Sequence, residues 1–246
     1  MAITATSSSW EGFVKKDFTI GGRESFIVCP GKPLPGNPWV WRTEFFGAFA
    51  QADLAMLKLG YHLAYHRVSN LYGCPQAVQW MREFRDAVVR EFHLAERTVL
   101  FGFSRGGLYA CNYAVAYPET VAALYLDAPV LDICSWPGGR GAGCGGEREW
   151  AECLACYGLT EETAADFREN PLDRTEALAQ AGIPVMLVAG GSDTVVPFEE
   201  NGALFQERFR KAGGVLETIV KPNCGHHPHS LEDPSPIVAF LRRFAG

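Results

Sequence analysis

The chain has 246 residues, 48% of them hydrophobic, with 22 Lys+Arg against 28 Asp+Glu for a formal net charge of -6. That length and apolar share suffice for one packed domain, so the expectation is a single domain over 1–246 with no need of metal or disulfide staples. The mildly acidic balance, without a basic run, argues against a nucleic-acid surface, and no apolar run approaches the ~18 residues of a membrane span.

In chain order, the first signal is Phe13 to Cys29, two alternating runs around Gly21-Gly22 that read as an antiparallel hairpin. Short β-rich runs then alternate with helical patterns. The strands expected are 23–29, 61–66, 97–103, 121–127, 183–190 and 216–221, and the helices 44–58, 75–93, 105–117, 199–212 and 234–244. The later strands are continuous apolar runs rather than alternating ones, which implies an α/β class with a doubly wound, mostly parallel sheet covered on both faces. The stretch from about 128 to 180, with the glycine-rich PGGRGAGCGG at 137–146, is too long for an ordinary connection. It reads as a cap-like insertion over the carboxyl ends of the strands, where ligands of such sheets bind.

Eight cysteines are spread from Cys29 to Cys224, and the opening MAITATSSSW lacks the basic and apolar regions of a secretion signal. Reduced thiols in a cytoplasmic protein are the expectation. Cys153 and Cys156 form a C-x-x-C in a helical pattern, but structural zinc usually takes two such pairs, so these read as core thiols.

The chemistry concentrates in three places. Gly102-Phe103-Ser104-Arg105-Gly106 is a G-x-S-x-G directly after one expected strand and directly before a helix, where small neighbours permit a sharp turn that exposes the serine at a helix N-terminus. A serine nucleophile needs a histidine base and an acid to orient it. GSDTVVP follows the strand at 183–190 and supplies Asp193; CGHHPH follows the strand at 216–221 and supplies His226. Asp127, also at a strand end, is the alternative acid, and His227 and His229 compete with His226. Three histidines within four loop residues make a poor metal site without further ligands, so no metal and no cofactor are expected.

The order Ser, Asp, His and the strand-turn-helix setting resemble the α/β-hydrolase fold family from about Phe13 to Phe244. The resemblance implies an acyl-enzyme route with Ser104 as nucleophile, Asp193 as acid and His226 as base, preferred because Gly225 precedes it. It also implies an oxyanion hole that uses the Arg105 backbone N–H and a donor from the loop after 23–29, with Lys32 or Trp41 as candidates. Ser-Arg at an elbow is also similar to glucuronoyl esterases. PWVWRTEFF, GFSRGGLYA, DAPVLDICSWPGG, VVPFEEN and GHHPHSL resemble a bacterial α/β-hydrolase group associated with polysaccharide degradation. That resemblance implies a small-molecule or glycan ester substrate, acetyl or feruloyl, with Trp39, Arg42, Trp136 and His227 as substrate-binding candidates. Tyr72 and Glu200 are further rim candidates. A serine peptidase or amidase, and a non-catalytic ligand-binding member of the fold, are the competing readings.

Overall fold

The computed structural model describes residues 3–244. Strands β1 (Thr6–Trp10), β2 (Phe13–Ile20) and β3 (Arg23–Cys29) form an antiparallel meander. Then follow β4 (Trp39–Arg42), α1 (Gln51–Lys58), β5 (His62–His66), α2 (Pro75–Phe92), β6 (Thr98–Phe103), α3 (Gly106–Ala116) and β7 (Val121–Asp127). The chain continues through α4 (Glu147–Tyr157), α5 (Glu161–Ala164), α6 (Thr175–Gln180), β8 (Val185–Gly190), α7 (Gly202–Lys211), β9 (Leu216–Lys221) and α8 (Ser235–Arg242). The nine strands form one sheet in the order β1-β2-β3-β5-β4-β6-β7-β8-β9. From β5 to β9 every neighbouring pair is parallel.

Burial follows from this order. Strands β6, β7 and β8 are buried at every residue because helices cover both faces, which is why they read as unbroken apolar runs. One face packs α2, α3 and α7 over Trp41, Leu100, Leu124 and Leu187; the other packs α1 and α8 over Val40, Phe101, Tyr125 and Val188. At the far edge β9 mixes partly buried with exposed residues. Proline at the first position of α2 fits where a helix N–H has no partner, and the helix ends at His93 in the left-handed region (φ 53°).

Two strands escape the sequence pattern. β1 is a short, exposed, serine-rich edge strand paired with β2. β4, the four residues WVWR between prolines and a polar turn, is a fully buried central strand between β5 and β6. The expected helix 44–58 begins only at Gln51, because residues 43–50 form the loop leaving β4.

The segment after β7 holds two different things. Residues around α4 and α5 form a separate apolar cluster with Val130, Ile133, Trp150, Cys153, Leu154 and Val196, packed on the loop that follows β8. Helix α6 instead lies against the sheet, with Leu178 in the main core, and serves as the crossover from β7 to β8. The insertion proper therefore ends before α6, short of the expected boundary at 180. All eight cysteines are free thiols. No helix among the described residues is long and apolar enough to cross a membrane.

Candidate active site

Because β4 and β6 to β9 are parallel, the loops leaving their carboxyl ends gather along one edge of the sheet. Ser104 sits at the turn from β6 to α3 with φ 50°, a left-handed conformation that a serine adopts only when its surroundings impose it. Those surroundings are specific. The Ser104 N–H donates to Asp127 O (2.9 Å) and its carbonyl accepts from the N–H groups of Gly107 and Val130. A Cβ on Gly102 would lie 2.9 Å from the Cβ of Ala110, and one on Gly107 would lie 2.6 Å from the Cβ of Pro129. The glycines allow the strand, the helix and the loop after β7 to close around the turn.

The hydroxyl of Ser104 lies 2.9 Å from His226 Nε2, and His226 Nδ1 lies 2.7 Å from Asp193 Oδ2. The other Asp193 oxygen accepts from the N–H groups of Val195 (2.8 Å) and Val196 (2.9 Å). Burial alone raises the pKa of this carboxyl. The His226 hydrogen bond and the two backbone donors more than offset it, and the net value lies below the ordinary carboxylate range. Asp193 is thereby held ionised against the ring it orients. The histidine loop packs tightly on the strand bearing the acid, since a Cβ on Gly190 would lie 2.2 Å from the carbonyl oxygen of Gly225.

The loop leaving β4 completes this edge. Thr43 donates its hydroxyl to the carbonyls of Phe101 and Gly106, both at 3.0 Å, which ties the loop to the serine turn. The N–H groups of Arg105, Glu44 and Phe45 have no backbone acceptor among the described residues. The Glu44 nitrogen lies 3.7 Å from where a Gly106 Cβ would stand, and Phe45 is itself left-handed at φ 52°. Beside them the Arg105 guanidinium is paired through Nε with the 2% exposed carboxylate of Glu44 (2.7 Å). Glu44 and Gly107 fall within PWVWRTEFF and GFSRGGLYA but are not singled out there, and the position of β4 reveals the former.

Several expected residues lie elsewhere. Lys32 belongs to the opposite end of the sheet: its carbonyl oxygen abuts Gly60, just before β5 begins. β3 runs antiparallel to β5, so the loop leaving it cannot reach the serine. Trp41 sits mid-strand in β4, and Trp39 and Trp41 stack on one another in the main core, both about 1% exposed. Neither supplies an oxyanion donor or a stacking surface. Arg42 is fully buried, makes a bidentate ion pair with Asp53, and lies 3.6 Å over the ring of Phe103. It is a core cation rather than a substrate contact. Tyr72 is fully buried and donates its hydroxyl to Glu152 (2.9 Å). Glu200 accepts from Ser135 and the Ala142 N–H, which staples the insertion to the loop after β8. Trp136 is half-buried near Tyr72, with ring centroids 6.2 Å apart.

Asp127 is engaged in a second pair. Its Oδ1 lies 2.9 Å from His229 Nδ1, and its Oδ2 accepts from the Ser230 N–H (2.8 Å) and the Tyr125 hydroxyl (2.7 Å). His227 is exposed, stacks on Phe49 (5.4 Å) and lies about equally far from the other two imidazoles. The three rings are brought together in a way that a loop sequence does not reveal, because carboxylates at the end of β7 and in the loop after β8 each fix one of them.

Comparison with known proteins agrees with this frame. The S-formylglutathione hydrolase of Agrobacterium tumefaciens superposes over all of both chains with a TM-score of 0.68 at 16% identity. A puromycin hydrolase superposes on 98% of this chain and 38% of its own with a TM-score of 0.67 at 18% identity. These likenesses establish the α/β-hydrolase fold. The acylamino-acid-releasing enzyme of Rattus norvegicus is 26% identical over 155 residues, 61% of this chain, and this chain spans about a fifth of that protein's length. The model of the prolyl oligopeptidase family matches residues 62–245, which contain Ser104, Asp193 and His226, and the chain belongs to the prolyl oligopeptidase family of serine hydrolases.

Proposed function

We propose that the chain hydrolyses a carboxylic ester through an acyl-enzyme in which Ser104 is the nucleophile, His226 the base and Asp193 the residue that orients it. The observation that carries the reading is the unbroken hydrogen-bonded series from Ser104 Oγ through His226 to Asp193. A free serine hydroxyl is a weak nucleophile, and a base at 2.9 Å supplies what it lacks. As Oγ bonds to the ester carbonyl carbon, its proton passes to His226 Nε2. The ionised Asp193 keeps the other ring proton on Nδ1 and stabilises the imidazolium that forms. The carbonyl π electrons move onto oxygen, where the N–H of Arg105 and an N–H from the loop after β4, Glu44 or Phe45, stabilise the negative charge. The tetrahedral species collapses, the alcohol leaves with the proton from His226, and the acyl group remains on Ser104. Water, deprotonated by the same ring, then releases the acid. No step calls for a metal or a cofactor.

The proposed substrate is a small or carbohydrate-linked acyl ester. Half-buried Trp136, on the insertion, is the aromatic surface left for a sugar or an aromatic acyl group once Trp39 and Trp41 are assigned to the core. A second reading, cleavage of an amide after an acylated amino acid, is favoured by the likeness to acylamino-acid-releasing enzymes. The same machinery serves both reactions and the leaving group decides between them. Initial rates on p-nitrophenyl acetate, an acetylated xylo-oligosaccharide and N-acetyl-alanine p-nitroanilide separate the readings. The ester reading expects the two esters to be hydrolysed with kcat/KM at least about 100-fold above the anilide, and a faster anilide would overturn it. Absence of turnover on all three, with no labelling by a fluorophosphonate, would favour a non-catalytic binding role.

A further inference from the structure

We infer that His226, His227 and His229 form a site for a divalent transition-metal ion of the zinc type, and that its occupancy switches the serine off. One nitrogen from each of the three rings lies within 4.8 Å of the others. The ring centroids are 4.9 Å apart for His226 and His227, 4.9 Å for His226 and His229, and 4.8 Å for His227 and His229.

Proximity alone is common in a histidine-rich loop; here the second coordination layer is also in place. Metal-binding imidazoles characteristically donate their other ring nitrogen to a carboxylate, which fixes the tautomer and the direction of the free lone pair. Two of the three rings do so: His226 Nδ1 on Asp193 and His229 Nδ1 on Asp127, at 2.7 and 2.9 Å. Both carboxylates are buried and held by further donors, so these two rings are set before any ion arrives. Each is left with Nε2 as the nitrogen free of a carboxylate. The third ring, His227, is exposed and able to swing inward, which is needed because zinc takes nitrogen at about 2.0–2.1 Å. Three imidazoles suit zinc, copper or nickel and are poor ligands for magnesium or calcium.

The ion would take the lone pair of His226 Nε2 that accepts the Ser104 hydroxyl, so coordination and the serine-histidine hydrogen bond exclude one another. Binding depends only on the histidine geometry, whereas its effect on turnover rests on the hydrolase reading above.

The test titrates the full chain calorimetrically with ZnCl2 and follows p-nitrophenyl acetate hydrolysis across the same zinc range. One zinc per chain is expected, with inhibition whose midpoint tracks the Kd, reversal by EDTA, and no effect of MgCl2. His227→Ala, at an exposed position, and His229→Gln are each expected to weaken zinc binding at least about tenfold, as losing even an outer-layer partner does. Inhibition of each variant is scored against its own zinc-free rate, with circular dichroism to verify folding. No stoichiometric zinc uptake, or an unchanged Kd in both variants, would overturn the site. One zinc bound with the expected variant effects, in a chain that hydrolyses none of the esters or the anilide, would keep the site and refute the hydrolase reading.

Discussion

Two Asp–His pairs stand side by side at the carboxyl edge of the sheet, and they differ in what the far side of the imidazole meets. Asp193 lies in the loop after β8 and holds His226, whose Nε2 reaches Ser104. Asp127 ends β7 and holds His229, 5% exposed, whose ring packs against Phe103 and Phe49. Both carboxylates accept from neighbouring N–H groups and both orient a ring through Nδ1. Only the first pair meets a serine, the third member that the proposed reaction requires, and the pair without one fastens the histidine loop to the sheet. A carboxylate at a strand end with a histidine partner is therefore insufficient evidence of a catalytic acid.

Substitutions break this comparison in a graded way. Ser104→Ala is expected to have the largest effect, lowering kcat by about 10⁶-fold while circular dichroism is unchanged, because the triad acts as a unit. Asp193→Asn follows, with a fall of about 10⁴-fold from the wrong ring tautomer. The corresponding change in the other pair, Asp127→Asn, is expected to act on stability instead, by about 2 kcal/mol for a buried carboxylate hydrogen bond, with a far smaller loss of kcat per folded molecule. Urea unfolding of both variants beside their rates checks the contrast; equal kcat losses would erase it. Next comes Gly190→Ala, which drives a Cβ into the Gly225 carbonyl and displaces His226 from Ser104; a displacement of about 1 Å costs roughly 10²-fold in kcat.

The smallest effect is on pH dependence. The Asp193 pKa is lowered in the folded state, so its stabilisation is fully present above the unfolded value near 3.8 and is lost as pH falls through the folded value. The stability gap between the wild type and Asp193→Asn should thus be constant near neutrality and close below about pH 4, as read by denaturant unfolding across that range. A gap that does not narrow as the pH falls below about 4 would contradict the assignment of an ionised Asp193.

Much of this was legible in the sequence. The runs at 23–29, 121–127 and 216–221 became β3, β7 and β9 with the expected ends: β7 is a central parallel strand and so an apolar run, β3 follows the Gly-Gly turn of its hairpin, and β9 is a short β-rich run at the edge. The meeting of Ser104, Asp193 and His226 was also expected, since each follows an expected strand. What was hidden has one main cause: β4 is four residues long and flanked by prolines and polar residues, which is loop composition. Missing it made the loop after β3, with Lys32 or Trp41, the expected source of the second oxyanion donor, and put Trp39, Trp41 and Arg42 on a rim when they belong to the core. The order Ser, Asp, His favours Asp193 over Asp127, but that Asp127 holds a histidine of its own was beyond local pattern, because each carboxylate meets its ring across more than thirty residues of chain.

The central claim, that the pair holding His226 activates Ser104, is tested most directly by reacting the wild type and Ser104→Ala with a fluorophosphonate and reading intact mass and peptide maps. The account predicts one adduct per chain, located on Ser104, abolished in Ser104→Ala and greatly slowed in Asp193→Asn. An unlabelled wild type, or equal labelling of Ser104→Ala, would contradict it.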